Sequence, residues 1–324
     1  MGYLGGVDTK NLELPIVDLS GLDITRFDEK VWVKARSKIA EALEIYGGFE
    51  VVYNEVSSEL RNDLLGLIVP TMFTMPVVNE LSDAQQVPYH GIWFQKQGFP
   101  YSALQLEDPN SLVAVQEYAN IIWPQENDFF CNTVLNYAKH MQEIINMIHR
   151  MIIESLCLEL HHNDSHMKSL AYSIRFSNYY KNALDDGIKL SLPSHKDPNY
   201  ISIICPHNVE GLEIETRGGE WIQAKPMKNS FTVLVGEVFK AWTNGRLHAP
   251  NHRVKLKNET EKRYAVIFST IPSLTNDMIN APEELIDEQH PLLFKPFKYY
   301  DYVKFHFSEE GEKTNDALKA YCGV

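Results

Sequence analysis

Two histidines and an aspartate are the residues of this sequence best spaced for chemistry. His195 and Asp197 are separated by one residue in Ser194-His195-Lys196-Asp197-Pro198, and in an extended segment such a pair projects to one side because side chains alternate faces with period two. A third ligand would complete a two-histidine, one-carboxylate face, the donor set that holds a non-haem ferrous ion and leaves its opposite positions open. His252 is the candidate: it opens His252-Arg253-Val254-Lys255-Leu256, a strand pattern that can fix a ligand on a rigid wall. His207 follows Pro206 in a turn-like context, and Pro250 interrupts any helix that would pair His248 with His252. A lone His-x-Asp is commonly a surface pair, so the weight rests on what surrounds it.

The segment between Asp197 and His252 reads as a series of short strands. Ile201-Ser202-Ile203-Ile204, Gly211-Leu212-Glu213-Ile214-Glu215, Glu220-Trp221-Ile222 and Ser230-Phe231-Thr232-Val233-Leu234-Val235-Gly236 are β-branched or alternating and are broken by Gly, Pro and Asn. That pattern predicts a barrel or sandwich whose inner wall brings distant residues together. Ahead of it, Leu14 to Leu19 and Phe49 to Tyr53 read as strands, Asp28 to Tyr46 as a helix ended by Gly47-Gly48, and Ser57 or Ser58 as the cap of a helix through Leu67. The strongest helical periodicity runs from Asn127 to Leu160, through Phe130, Val134, Ala138, Met141, Ile145, Ile148 and Ile152. His140 and His149 on it read as surface or core-edge residues, and His161, His162 and His166 as capping or solvated groups at its C-terminal end. Between Pro70 and Gln105 the pattern weakens to a long aromatic-bearing loop.

Taken together, His-x-Asp, the strand series, His252-Arg253-Val254 and Arg263 resemble the core of the plant 2-oxoglutarate and Fe(II)-dependent dioxygenases over about Ser173 to Ser269. Tyr46-Gly47-Gly48-Phe49-Glu50, Tyr118 to Pro124 and Lys240 to His248 are similar to the branch with glucosinolate-side-chain and auxin-oxidising dioxygenases, and the likeness extends over nearly the whole chain. The resemblance implies a mainly β fold with flanking helices around a double-stranded β-helix, or jelly roll. It implies one domain over 1–324, with an N-terminal part to about 170, a jelly-roll core at about 171–272 and a C-terminal lid and helix at about 273–324.

The same resemblance implies Fe(II) on His195, Asp197 and His252, with 2-oxoglutarate and O2 as cosubstrates and ascorbate in support. The reaction would oxidise a small plant specialised metabolite or hormone by hydroxylation, demethylation, desaturation or ring closure, with release of succinate and CO2. Arg263, eleven residues past His252, is expected on the distal carboxylate of 2-oxoglutarate, since a guanidinium meets a carboxylate with paired charge-assisted hydrogen bonds. Asn178-Tyr179-Tyr180 is similar to the family's Asn-Tyr-Tyr element, and Tyr180, which shares strand parity with Asn178, is expected to reach the same carboxylate. Two positions depart from the family. Ala265 stands where the family's Arg-x-Ser has a serine, and Lys181 and Asn182 replace the prolines that often follow Asn-Tyr-Tyr. The expected consequence is weaker 2-oxoglutarate binding, or compensation by Tyr180 or another hydroxyl. Asp197 itself argues against halogenation, which needs that carboxylate to be missing. Alternative readings are an oxidase of the same fold that does not use 2-oxoglutarate, and a non-catalytic metal- or ligand-binding jelly roll.

Composition narrows the rest. A net charge of −13 argues against a nucleic-acid surface, which requires a basic stripe. Four cysteines without Cys-x-x-Cys spacing point to a reducing compartment, and neither a signal-peptide pattern nor a span-length apolar stretch is visible. The expectation is a cytoplasmic monomer acting on a small molecule, with no nucleic-acid or membrane partner.

Overall fold

The computed structural model of the chain describes residues 12–81, 93–95, 99–123, 127–180, 190–225, 227–256 and 262–324. Pro124, Lys181 and Asn182 lie outside them.

Twelve strands make the two main sheets. In chain order they are β1 (Ile16–Asp18), β2 (Gly48–Val52), β3 (Trp93–Gln95), β4 (Tyr101–Glu107), β5 (Leu170–Tyr179), β6 (Leu190–His195), β7 (Ile201–Pro206), β8 (Leu212–Glu215), β9 (Trp221–Gln223), β10 (Ser230–Val235), β11 (His252–Lys255) and β12 (Arg263–Pro272). The larger sheet runs β1-β2-β10-β7-β12-β5-β4-β3 and the smaller one β6-β11-β8-β9. Every pairing in them is antiparallel except β1 with β2. From β5 to β12 the chain passes back and forth between the sheets, staying in one only for the β8–β9 hairpin, so residues far apart in sequence face one another across the space between them.

Period-two alternation divides the strands of the larger sheet into two faces. Ile174, Phe176, Ile201, Ile203, Cys205, Phe231, Val233, Val266 and Phe268 join the main core with helices Lys30–Ile45 and Asp128–Ser155. The opposite face meets the smaller sheet through Tyr101, Ala103, Tyr179, Ile204, Leu234 and Ala265, packed with Leu212, Ile214, Ile222 and Val254. Gly47 is in the left-handed region at φ +70, and a Cβ there would lie 2.4 Å from the His248 carbonyl. The chain therefore needs glycine where helix Lys30–Ile45 turns into β2.

The fold is thus mixed helix and antiparallel sheet, with the helices packed against one face of the larger sheet. Helix Asp128–Ser155 matches the predicted periodicity. Two histidine assignments change. His149 is fully buried, and His166 lies in a separate helix, Leu160–Lys168, with its Nε2 3.0 Å from His149 Nδ1 in a box of Phe239, Trp242 and Tyr200. His161 keeps the exposed setting the sequence suggested, while His162 is half-buried and bonded to Glu284 at 2.8 Å. Among its described residues, the segment after Pro70 forms helix Pro76–Leu81, β3 and β4.

Candidate metal centre and cosubstrate cavity

His195 ends β6, and His252, opening β11, is its register partner. The two rings sit 4.2 Å apart between centroids. Asp197 lies just beyond β6, in the turn to β7, so its approach to His195 comes from the turn rather than from strand parity. Its Oδ1 is 3.8 Å from Nε2 of each histidine. One donor atom from each residue lies within 4.8 Å of the others, the only such cluster among the described residues.

Hydrogen bonds aim these donors. His195 Nδ1 is 2.9 Å from the Pro193 carbonyl and His252 Nδ1 is 3.5 Å from that of Pro250. A carbonyl partner fixes the proton on Nδ1 and turns the Nε2 lone pair towards the shared centre. Ser202 donates to Asp197 Oδ2 at 2.5 Å and itself accepts from Asn199 at 2.8 Å. With Oδ2 engaged, Oδ1 is left as the oxygen facing both imidazoles. The Asp197 carbonyl accepts from the Glu237 amide at 2.8 Å, fixing the turn itself. Burial opposes ionisation of Asp197, yet His252, His195 and the Ser202 hydroxyl hold its carboxyl below the ordinary value. Burial, with His252 close by, pushes His195 down to about 3, so its imidazole is neutral at physiological pH and can donate a lone pair to a cation.

The triad faces an inner cavity that also contains Tyr101, Arg175, Tyr179, Ser202 and Arg263. Arg263 is almost wholly buried, and its Nε and Nη1 have no hydrogen-bond partner among the described residues. Its guanidinium carbon stands 4.9 Å from the centroid of the Tyr179 ring. A buried cation with orphaned donors is costly unless an anion completes it. The donor set of the triad suits Fe(II), and the orphaned guanidinium suits a carboxylate reaching it from the iron.

Of the two adjacent tyrosines it is Tyr179, and not the expected Tyr180, that faces the cavity. Tyr179 is the register partner of Arg263 and shares its face, with Ser177 and Arg175 following along β5. Tyr180 lies just past β5, its amide bonded to Pro100 at 3.0 Å, and neither it nor Asn178 lines the cavity. The signal for this was present in Ser173-Ile174-Arg175-Phe176-Ser177: the apolar even positions belong to the helix side, which sends the odd ones inward. Ala265 is fully buried opposite Ser177.

A second cavity of about 470 Å³ shares His195, Arg175, Leu192 and Tyr101 with the first and opens towards the C-terminal segment. His306, Phe307, Thr314, Asn315 and Ala317 make its far wall. Lys196, between the two presumed ligands of the His-x-Asp motif, is 3.9 Å from Asp316, and Glu237 holds Tyr302 and His306, so that wall is tied to the metal turn. The sequence had not connected these groups.

Comparisons with known proteins agree with this geometry. Residues 171–272 match the 2OG-Fe(II) oxygenase superfamily. The probable 2-oxoglutarate-dependent dioxygenase AOP1.2 of Arabidopsis thaliana is 33% identical over 317 residues, covering 96% of each chain. The crystal structure of the dioxygenase for auxin oxidation in rice superposes with a TM-score of 0.78 at 25% identity, over 96% of this chain and 100% of that one. The dioxygenase for auxin oxidation 1 of Arabidopsis thaliana, solved as a 2-oxoglutarate binary complex, gives 0.73 at 25% identity over 86% and 100%.

Proposed function

From the premise that this chain belongs to the 2OG-Fe(II) oxygenase superfamily and is a 2-oxoglutarate-dependent dioxygenase, we propose that His195, Asp197 and His252 hold its iron and that Arg263 and Tyr179 hold its cosubstrate. The observation that carries the assignment is the convergence of the three donor atoms within 4.8 Å beside a buried guanidinium with unpartnered Nε and Nη1. When bound, iron and 2-oxoglutarate supply the oxidising power, and the chain supplies placement. Ser202 engages Asp197 Oδ2 and leaves Oδ1 towards the imidazoles, the two proline carbonyls keep both imidazoles aimed, and Arg263 would orient the dicarboxylate from its far end.

The substrate belongs in the 470 Å³ cavity, which meets the metal centre at His195. Its size fits a small organic metabolite, and the relatives named for auxin oxidation support a plant hormone or specialised metabolite. The repeated crossing of β5 to β12 between the sheets, interrupted only by the β8–β9 hairpin, supports a double-stranded β-helix. Cys131, Cys157, Cys205 and Cys322 are all free thiols, which supports a reducing, cytoplasmic setting, and we take the working unit to be a monomer. No helix among the described residues is long and apolar enough to cross a membrane.

The test is succinate formation from 2-oxoglutarate in the presence of a panel of plant metabolites. Production that requires Fe(II), O2 and one panel member, and that disappears in Asp197→Ala, bears the assignment out. Oxygen uptake indifferent to 2-oxoglutarate, or to Asp197→Ala, contradicts it.

A further inference from the structure

Residues from β4, β5 and β12 line up in rows across the larger sheet. Tyr101 pairs with Tyr179, and Tyr179 with Arg263. In the next row Ala103 pairs with Ser177, and Ser177 with Ala265. Cross-strand partners share a face, so all six side chains point towards the smaller sheet. The first row is a cation flanked by two phenols, and the second contains a single polar group between two methyls.

That polar group has a partner: Ser177 Oγ lies 3.2 Å from the Tyr101 hydroxyl, with both residues buried. The Tyr101 and Tyr179 rings are 4.9 Å apart between centroids, and both residues line the inner cavity with Arg263, in whose row they stand. Tyr101 also lines the second cavity, so it stands where the two meet. Ser177 and Ala265, by contrast, lie behind the lining. A hydroxyl at Ser177 therefore meets the cavity through the phenols in front of it, Tyr101 at 3.2 Å and also Tyr179.

We propose that Tyr101 is a third donor for the distal carboxylate of 2-oxoglutarate, acting with Arg263 and Tyr179, and that Ser177 is a positioning residue for its hydroxyl. The inference rests on the cosubstrate assignment above. With Ser177 donating to the phenol oxygen, the Tyr101 proton is directed to the carboxylate, and a chain of hydrogen bonds runs from Ser177 through Tyr101 to the anion. No hydroxyl is then needed at Ala265.

The experiment is an anaerobic titration of the Fe(II)-loaded protein, followed by the weak visible charge-transfer band, with two ligands: 2-oxoglutarate, and 2-oxobutyrate, which keeps the metal-chelating end but lacks the distal carboxylate. Tyr101→Phe is expected to weaken 2-oxoglutarate about tenfold, the loss of one hydrogen bond to a charged group, and to leave 2-oxobutyrate unchanged. Ser177→Ala, a smaller change that guards against misfolding of the first variant, is expected to weaken 2-oxoglutarate about threefold, again with 2-oxobutyrate unchanged. Equal weakening of both ligands, or of neither, overturns the proposal. If the unmodified protein binds 2-oxobutyrate but gains nothing from the distal carboxylate, the cosubstrate assignment fails first and takes this inference with it.

Discussion

The two faces of the larger sheet follow opposite rules. Towards the helices, Phe176, Val266 and Phe268 fill a dry core. Towards the smaller sheet, the same strands bury Arg263 with two unpartnered nitrogens, and carry Arg175, Ser177, Ser202 and Ser269. A face built only for stability would not hold a buried cation without an anion, because the desolvation penalty is not repaid. The difference teaches that the helix side sustains the fold, while the inner side gives up stability for a ligand that completes it.

That contrast breaks most sharply at residues on β12 with opposite parity. Phe268→Ala is expected to lower unfolding free energy by about 3–5 kcal/mol in denaturant titration while leaving ligand affinity in the surviving folded fraction unchanged. Arg263→Met should do the reverse. Affinity for 2-oxoglutarate falls about a hundredfold by anaerobic titration, and thermal stability of the ligand-free protein stays level or rises, since an unpaired buried charge is removed. A loss of stability in Arg263→Met would erase the distinction between the faces.

Acid sharpens the comparison on the helix side. Burial pushes His166 down from 6.5 to about 3, and burial and His166 hold His149 well below its usual value. As pH falls below 6.5, the unfolded chain takes up protons that these folded histidines refuse, so their contribution to stability is present above that pH and declines towards the folded value. Between pH 6.5 and 5 the loss is about 2 kcal/mol for His166. Denaturant midpoints across that range, compared with His166→Phe, measure the slope.

A smaller effect separates Ser202 from the ligand it orients. Ser202→Ala frees Asp197 Oδ2, and affinity for Fe(II) is expected to fall about tenfold, with the unfolding midpoint nearly constant. Equal Fe(II) affinity in the two proteins would remove Ser202 from the account.

Much of the site was legible because its parts are tied to local pattern. His195 and Asp197 are neighbours in sequence, and His252 begins a strand whose alternation can be read directly. Tyr179 was missed because parity was counted from Asn178 instead of from the apolar Ile174 and Phe176, which mark the helix side of β5. Tyr101 and Ser177 were beyond reach: their contact depends on the register of β4 against β5, and no spacing within one strand encodes it. The buried His149–His166 pair is similar, since a histidine enclosed by Phe239, Trp242 and Tyr200 resembles a surface histidine when only its own helix is read. The departure at Ala265 was plain in the sequence, whereas the hydroxyls facing it come from other strands.

Anaerobic Fe(II) binding, measured by equilibrium titration in the unmodified protein, Asp197→Ala and His252→Ala, tests the central claim most directly. One ion per chain in the unmodified protein, a visible band that develops only on addition of 2-oxoglutarate, and loss of both in either variant is the expected result. Iron bound equally well after His252→Ala would contradict the convergence of these side chains on a single metal.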